Sequence, residues 1–111
     1  MKPKSDQQVI VFMTCDKKGE AAAIAKRLLR TRRAACVSIY PRGESLYWWK
    51  GAVERSREYL LIAKTRASSL PRLISEVKAI HSYEVPEIIA LPIVGGNRDY
   101  LQWLDKEVRV R

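Results

Sequence analysis

The sequence predicts an α+β domain with elements in the order β-α-β-β-α-β and a further helix at its C-terminus. Three observations predict it: a continuous apolar run at residues 9–14, two segments with apolar residues at helical spacing, and long strand character on both sides of Lys50-Gly51. Split βαβ units in this order build a ferredoxin-like sandwich, in which helices cover one face of a mostly antiparallel sheet.

Hydrophobic periodicity defines the first strand and the first helix. Residues 9–14 have the pattern of a strand that is buried on both faces. Thr14-Cys15-Asp16 offers a cap for a helix that we expect to run to about Arg32. The buried stripe of this helix comprises Ala21, Ile24, Ala25, Leu28 and Leu29.

A long hairpin follows the first helix. Residues 35–40 predict a second strand, which Pro41-Arg42-Gly43 interrupts before strand character resumes over residues 45–49. Lys50-Gly51 predicts a tight turn, and residues 52–65 return as a long strand.

The remaining elements are a helix, a strand and a terminal helix. Ser68 or Ser69 can cap the second helix and Pro71 suits its first turn. Its buried stripe comprises Leu70, Leu73, Ile74, Val77 and Ile80. Residues 85–93 predict the fourth strand and Gly95-Gly96-Asn97 a loop. The stripe of the terminal helix comprises Tyr100, Leu101, Leu104 and Val108.

Length and composition indicate one domain, at residues 8–111, behind a short tail at residues 1–7. With 111 residues, 47% of them hydrophobic, the chain can build one core but not two. No apolar run is long enough to span a membrane and the N-terminus lacks an apolar signal core, so we expect a cytoplasmic protein with no membrane partner. Cys15 and Cys36 match no metal spacing and are expected to be free thiols.

The net charge of +9 raises nucleic acid as a partner. Against this, Lys26, Arg27, Arg30 and Arg33 alternate with the apolar stripe and are typical of a solvated helix face. RNA-recognition domains share the predicted element order, but they need aromatic residues in a Lys/Arg-Gly-Phe/Tyr-Gly/Ala-Phe motif. The nearest fragment, residues 50–53, lacks them, so RNA binding remains only the alternative function.

The hairpin is apolar on both faces. Alternation places Leu46 and Trp48 on one side and Tyr47 and Trp49 on the other, whereas two helices cover only one face of a sheet. Soluble monomers rarely expose an apolar patch of that size. We therefore expect a symmetric oligomer to cover it, the alternative being that the terminal helix with Trp103 folds over part of the face.

The single histidine lies in the segment at residues 81–87, where a helical pattern gives way to a strand. His81 is a candidate site residue because it has acids and a tyrosine close by, and the alternative is a helix-end His bonded to a last-turn carbonyl. Ser82, its neighbour, points away on an extended chain, and the sequence cannot decide whether Cys36 approaches it. Since Gly95-Gly96-Asn97 also matches no phosphate-binding loop, we expect no enzyme and no catalytic residues.

Several motifs, in order and at matching spacing, resemble the CutA or divalent-cation tolerance proteins, and the resemblance covers residues 8–105. The matching motifs are Ala34-Ala35-Cys36-Val37, Ser45-Leu46-Tyr47-Trp48-Trp49-Lys50-Gly51, Lys64-Thr65, His81-Ser82-Tyr83-Glu84-Val85-Pro86-Glu87-Ile88, Leu91-Pro92-Ile93 and Tyr100-Leu101-Gln102-Trp103-Leu104. The resemblance implies a ferredoxin-like subunit in a homotrimer with sheets packed about the threefold axis. It also implies a PII-like assembly with ligand clefts between subunits and a role in tolerance to divalent metals, copper above all.

The resemblance also implies the site. The cleft positions carried over are Cys36, Tyr47, Trp49, Lys64, Tyr83 and Glu84, and the metal positions are His81 and Glu87. His81 with a carboxylate from Glu84 or Glu87 would suit Cu(II) or another divalent ion, with no obligatory cofactor, and Lys64 could pair with Glu84. The chain departs from the family at Met13, where some members carry a Cys proposed as a ligand.

Overall fold

The computed structural model describes residues 7–109 of the chain. Within that range it confirms the α+β class, with four strands and three helices in the predicted order. The elements are β1 (Gln8–Cys15), α1 (Lys18–Arg30), β2 (Cys36–Trp49), β3 (Ala52–Arg66), α2 (Leu70–Ile80), β4 (Ile88–Pro92) and α3 (Arg98–Glu107), with a single 3-10 turn at Ala67–Ser69 before α2. Apart from Gln7, the predicted tail at residues 1–7 lies outside the described residues, as do the last two residues of the predicted domain.

The four strands form one antiparallel sheet in the order β2-β3-β1-β4. Val11 at the centre of β1 lies opposite Ala63 of β3 and Ala90 of β4. β1 ends at Cys15, opposite Tyr59, whereas β2 and β3 continue as a two-stranded hairpin beyond that point. The hairpin therefore projects from the four-stranded part of the sheet.

Alternate residues of β1 and β3 face the helices and form the core. Packing two amphipathic helices against one face of a sheet removes the apolar side chains of that face from water. The core residues are Val9, Val11, Met13 and Cys15 of β1, Leu61 and Ala63 of β3, Ala21, Ile24 and Leu28 of α1, Leu73 and Val77 of α2, and Ala34. Met13 and Cys15 thus both lie inside the core, fully buried, because the strand persists to Cys15.

The predicted interruption at Pro41-Arg42-Gly43 is a bulge and not a break. β2 runs through it, and the register against β3 shifts between Tyr40 and Gly43. Arg42 takes a left-handed φ of 67°, which bulge geometry tolerates. A single long hairpin is the result.

The end of α1, its N-cap and the start of β4 differ from the prediction, whereas the predicted cap position of α2 at Ser69 is confirmed. α1 ends at Arg30, because Arg32 adopts a left-handed φ of 62° that ends a helix. Its N-cap is Lys17, which makes no side-chain cap bond, since Thr14-Cys15 belongs to β1. Ser69 is the N-cap of α2, but its hydroxyl donates to the Arg109 carbonyl instead. β4 begins at Ile88 and not at residue 85, because its last pairing partner on β1 is Met13.

The outer face of the sheet is only partly covered. α3 lies across one end of it, where Asp105 accepts hydrogen bonds from Gln8 and pairs with Arg66. The rest of the face and the hairpin keep large apolar side chains exposed, among them Tyr40, Leu46, Trp48, Val53, Ile89 and Leu91. The terminal helix therefore covers part of the face, as expected from the alternative to an oligomer. Most of the hairpin remains exposed.

None of the helices within residues 7–109 is both long enough and apolar enough to cross a membrane.

Candidate functional site

Three parts of the chain enclose a cavity of about 550 Å³ beside the base of the hairpin. They are the end of β1, the facing part of β2 and β3, and the irregular segment between α2 and β4. The lining residues are Thr14, Ser45, Leu46, Tyr47, Trp49, Glu58, Tyr83, Glu84, Val85 and Glu87. Five of the predicted site residues, Tyr47, Trp49, Tyr83, Glu84 and Glu87, are therefore brought together.

His81 lies behind the cavity and does not line it. Its ring is fully buried, Nε2 lies 2.7 Å from the Thr14 carbonyl oxygen, and Nδ1 accepts a hydrogen bond of 3.0 Å from the backbone N–H of Tyr83. A ring that accepts at Nδ1 carries its proton on Nε2, so Nε2–H donates to Thr14. His81 is the C-cap of α2, as the helix-end interpretation expects, but the carbonyl that it bonds belongs to Thr14 of β1 and not to the last turn of α2.

Tyr83 and Glu58 form the polar floor of the cavity. The Tyr83 hydroxyl donates to Glu58 Oε2 over 2.7 Å, and the Tyr83 ring is tilted against the His81 ring with centroids 4.8 Å apart. Burial, and then the hydrogen bond to Glu58, raise the pKa of Tyr83 well above its usual value, so the phenol keeps its proton and remains a donor.

Sequence reasoning missed Glu58, which is only 6% exposed. It directly precedes the apolar run at residues 59–63, so the sequence pattern indicates only the polar first residue of a buried strand segment. The available signal was its position just beyond the point where β1 ends, which becomes visible only once the register with Cys15 and Tyr59 is known.

Cys36 and Lys64 lie away from the cavity, at the other end of the sheet. They are directly opposite each other on β2 and β3, and the Cys36 thiol is hydrogen-bonded to the Tyr100 hydroxyl over 3.4 Å. That hydrogen bond, together with burial, raises the pKa of Tyr100 to about 12. Among the ion pairs of residues 7–109, none joins Lys64 to Glu84, so the expected pair does not form within one chain.

Within residues 7–109, neither Cys36 nor Ser82 is hydrogen-bonded to the His81 ring. His81 bonds to Thr14 and Tyr83, while Cys36 bonds to Tyr100. In the described part of the chain, no group of three His, Cys, Asp or Glu side chains is close enough to hold a metal ion.

An RNA-binding surface of the predicted alternative type would need aromatic side chains on the outer face of the two central strands, β1 and β3. That face presents Ile10, Phe12, Leu60 and Ile62 along the shared register, with Phe12 as its only aromatic ring. No observation on the sheet therefore favours RNA binding over the other function.

Comparison with known proteins gives one family throughout. Residues 9–107 match the family model described as CutA1 divalent ion tolerance protein. A curated relative from Oryza sativa subsp. japonica, named "Protein CutA 1, chloroplastic", is 48% identical over 101 residues, which are 91% of this chain and 57% of that protein. A relative from Thermus thermophilus, named "Divalent-cation tolerance protein CutA", is also 48% identical, over 86% of this chain and 92% of that protein.

Solved structures agree with the sequence matches. The crystal structure of CutA1 from Oryza sativa superimposes with a TM-score of 0.91 at 46% identity, covering 95% of this chain and 96% of that one. The chain spans little more than half the length of the rice relative and nearly the whole length of the Thermus relative.

Proposed function

The chain belongs to the CutA1 divalent ion tolerance family, and from this membership we propose that it is a homotrimeric binding and regulatory protein that acts in tolerance to divalent cations, copper above all. The subunit is ferredoxin-like, and PII-like clefts between subunits bind ligands without catalysing a reaction. The printed names of the relatives support the cation role. The expected cytoplasmic location stays a prediction.

The exposed apolar side chains of the hairpin are the main support for the proposed assembly. Leu46, Trp48 and Val53 lie on one of its faces and are 59%, 75% and 56% exposed. Burying apolar surface contributes about 25 cal/mol per Å², so a patch of large side chains favours association with another surface.

A second apolar patch lies on the outer face of the sheet and differs from the first. Ile89 and Leu91 of β4 are 54% and 53% exposed, and Tyr40 of β2 is 52% exposed on the same face. When one patch of a subunit packs against a different patch of the next, the contact is heterologous, and it closes into a ring when the rotation between successive subunits closes. Two unlike patches therefore support a cyclic assembly over a twofold dimer, and the resemblance to trimeric proteins supplies the number three.

Native mass spectrometry over a dilution series tests the assembly. We expect three times the chain mass of 12.8 kDa for the wild type, and dissociation at higher concentration for Trp48→Ala, which removes the most exposed hairpin ring. Leu29→Ala is the matched control, because Leu29 is an exposed apolar residue on α1, away from both patches. A monomeric wild type, or equal dissociation of the two variants, contradicts the proposal.

The arrangement of His81 and Glu87 does not fit a metal ion. Both His81 ring nitrogens have protein partners and the ring is fully buried, whereas Glu87 lies at the exposed wall of the cavity. The prediction that these two residues hold Cu(II) therefore requires the ring to leave both hydrogen bonds.

Two experiments test the cation role separately from the site. Cells of the source organism that lack the gene should grow more poorly than the parent in graded copper chloride, and equal growth contradicts the tolerance role. Titration of the assembled protein and of His81→Ala with Cu(II) tests the site: weaker binding by the variant supports His81 as a ligand, and equal affinity removes it.

A further inference from the structure

The cavity beside the hairpin has a charge opposite to that of the chain. The protein carries a formal net charge of +9, but the cavity lining contains Glu58, Glu84 and Glu87 and neither Lys nor Arg. A concave site with charges of one sign concentrates ions of the opposite sign. The lining therefore attracts cations to a protein whose net charge repels them.

The Glu58 carboxylate is the specific group in this lining that a cation would contact. Glu58 is only 6% exposed, and its carboxylate accepts one hydrogen bond, from the Tyr83 hydroxyl to Oε2. Among residues 7–109, the other carboxylate oxygen has no hydrogen-bond or ion-pair partner, and Glu58 lines the cavity. Within these residues this oxygen is not one of the fully buried polar atoms that lack a partner, so it keeps contact with the cavity, where a cationic N–H donor would form a charge-assisted hydrogen bond with it.

Aromatic rings line the cavity together with this carboxylate. Tyr47, Trp49 and Tyr83 all line the cavity, and the electron-rich face of an aromatic ring attracts ammonium and guanidinium groups. The protein already shows this preference, because the Lys50 ammonium nitrogen lies 5.6 Å from the centroid of the Trp49 ring. A cationic ligand at Trp49 would compete with Lys50 for the ring.

The dimensions of the cavity favour an extended cation over a metal ion. Its volume of about 550 Å³ is in the range of small-molecule sites, and no three of its acidic side chains converge closely enough to coordinate one ion, within the described residues. Carboxylates that do not converge on one point, in a lining that also contains the apolar residues Leu46 and Val85, match a molecule that has charged ends and an aliphatic middle.

We propose that this cavity binds a small organic cation of the alkyldiamine or guanidinium class, with a charged nitrogen at Glu58 and the aliphatic part against Tyr47 and Trp49. Glu84 and Glu87 face the second charged group at the open side. The inference deepens the proposed function by naming the ligand class of its cleft, and it rests on that function's binding role.

Isothermal titration with putrescine at constant ionic strength tests the ligand class, with butanediol as a neutral molecule of the same chain length. We expect saturable binding of putrescine and none of butanediol. Glu58→Gln removes the buried charge and should weaken putrescine binding by about tenfold or more. Glu84→Gln provides a second test at an exposed position, in case Glu58→Gln does not fold.

Two further variants give the test its internal controls. Glu54→Gln removes an exposed carboxylate from the same hairpin but outside the cavity lining, and should leave the affinity unchanged. Lys50→Gln removes the cation that competes for Trp49 and should tighten binding several-fold. Fluorescence of a Trp48→Phe, Trp103→Phe double variant reports on Trp49 alone, since the chain has three tryptophans.

The outcomes separate this inference from the proposed function. Equal behaviour of putrescine and butanediol, or unchanged affinity in both Glu58→Gln and Glu84→Gln, overturns the organic-cation site. Native mass spectra of the same samples report the assembly independently. A trimer that does not bind putrescine contradicts only the proposed ligand class. A monomer contradicts the proposed assembly, and the ligand class is then judged from the titration alone.

Discussion

His81 and Thr14 are joined by a 2.7 Å hydrogen bond between the ring Nε2 and a carbonyl oxygen near the end of β1. The other ring nitrogen accepts the backbone N–H of Tyr83. The buried ring thus connects the end of α2 to the sheet and fixes the start of the segment that carries Tyr83, Glu84 and Glu87 into the cavity. Its position makes it a support of the cavity and not a part of the lining.

His81→Ala should lower the free energy of unfolding by about 2 kcal/mol, because two hydrogen bonds are lost and the Thr14 carbonyl is left buried. Urea unfolding at a fixed protein concentration measures the change, since the proposed assembly would make stability depend on concentration. Lys78→Ala, at an exposed position on the same helix, is the control and should change stability by less than about 0.5 kcal/mol. Equal stability of the two variants would show that the bond to Thr14 contributes nothing.

The element order and the core were predictable because each follows from local periodicity. The helical stripes at Ile24 and Leu73 each specify a buried face, and the structure buries them, except that Leu29 of the first predicted stripe is 44% exposed. The prediction that β1 is buried on both faces was wrong, because only its alternate residues are buried and its other face is the partly covered outer face of the sheet. Positions that depend on pairing between distant segments were not predictable in this way. The bulge after Tyr40 and the late start of β4 at Ile88 follow from the register with neighbouring strands.

The candidate site shows the same division. Tyr47, Trp49 and Tyr83 were predicted and meet in one cavity, whereas Cys36 and Lys64 were predicted and lie elsewhere on the sheet. The resemblance gives positions in an assembly, and a single chain shows only the part of each cleft that it contributes itself. Whether Cys36 and Lys64 reach a cleft across a subunit boundary stays a prediction.

The two cysteines should differ sharply in reactivity. Cys15 is fully buried in the core, and burial raises the pKa of its thiol from 9.0 to about 11, while Cys36 is half-buried on β2. Because the thiolate is the reactive form, a disulfide dye should label Cys36 in the native protein and both thiols in denaturant. Cys36→Ser should abolish native labelling, and rapid native labelling of this variant would contradict the burial of Cys15.

The raised pKa of Cys15 also predicts a pH dependence of stability. The thiol keeps its proton in the folded state up to about pH 11, whereas in the unfolded chain it loses the proton near 9.0. The folded state therefore binds more protons between these values, and stability falls as pH rises through that window. Comparing wild type and Cys15→Ala by urea unfolding at pH 8 and 10.5 (roughly either side of the unfolded pKa) should show a steeper fall for the wild type. An equal loss of unfolding free energy in the two proteins would show that Cys15 contributes nothing to this pH dependence.

The same substitution should have opposite effects at two glycines. Gly51 has a φ of 83° in the hairpin turn, where a side chain is strained, so Gly51→Ala should destabilise by about 1 kcal/mol. Gly19 lies in the first turn of α1 with nothing within 4 Å of an added Cβ, so Gly19→Ala should stabilise by about 0.5 kcal/mol. Thermal unfolding of both variants beside wild type measures the signs, and shifts in the same direction would contradict the assignment of Gly51 to a left-handed turn.

Glu76 within α2 and Glu107 at the end of α3 should differ in their contribution to stability, because their arginine partners differ in burial. The Glu76 carboxylate accepts a 2.9 Å hydrogen bond from Thr31 and lies 3.6 Å from Arg33, whose side chain is only 7% exposed. Glu107 pairs with Arg32, whose side chain is 52% exposed and keeps its hydration when the pair is broken. Glu76→Gln should therefore cost about 2 kcal/mol, because it removes a negative charge that lies 3.6 Å from the buried Arg33 side chain. Glu107→Gln should cost less than about 1 kcal/mol, as solvent-exposed pairs do. Urea unfolding in low and high salt measures both variants, and equal costs would show that the Glu76 carboxylate contributes no more than a surface ion pair.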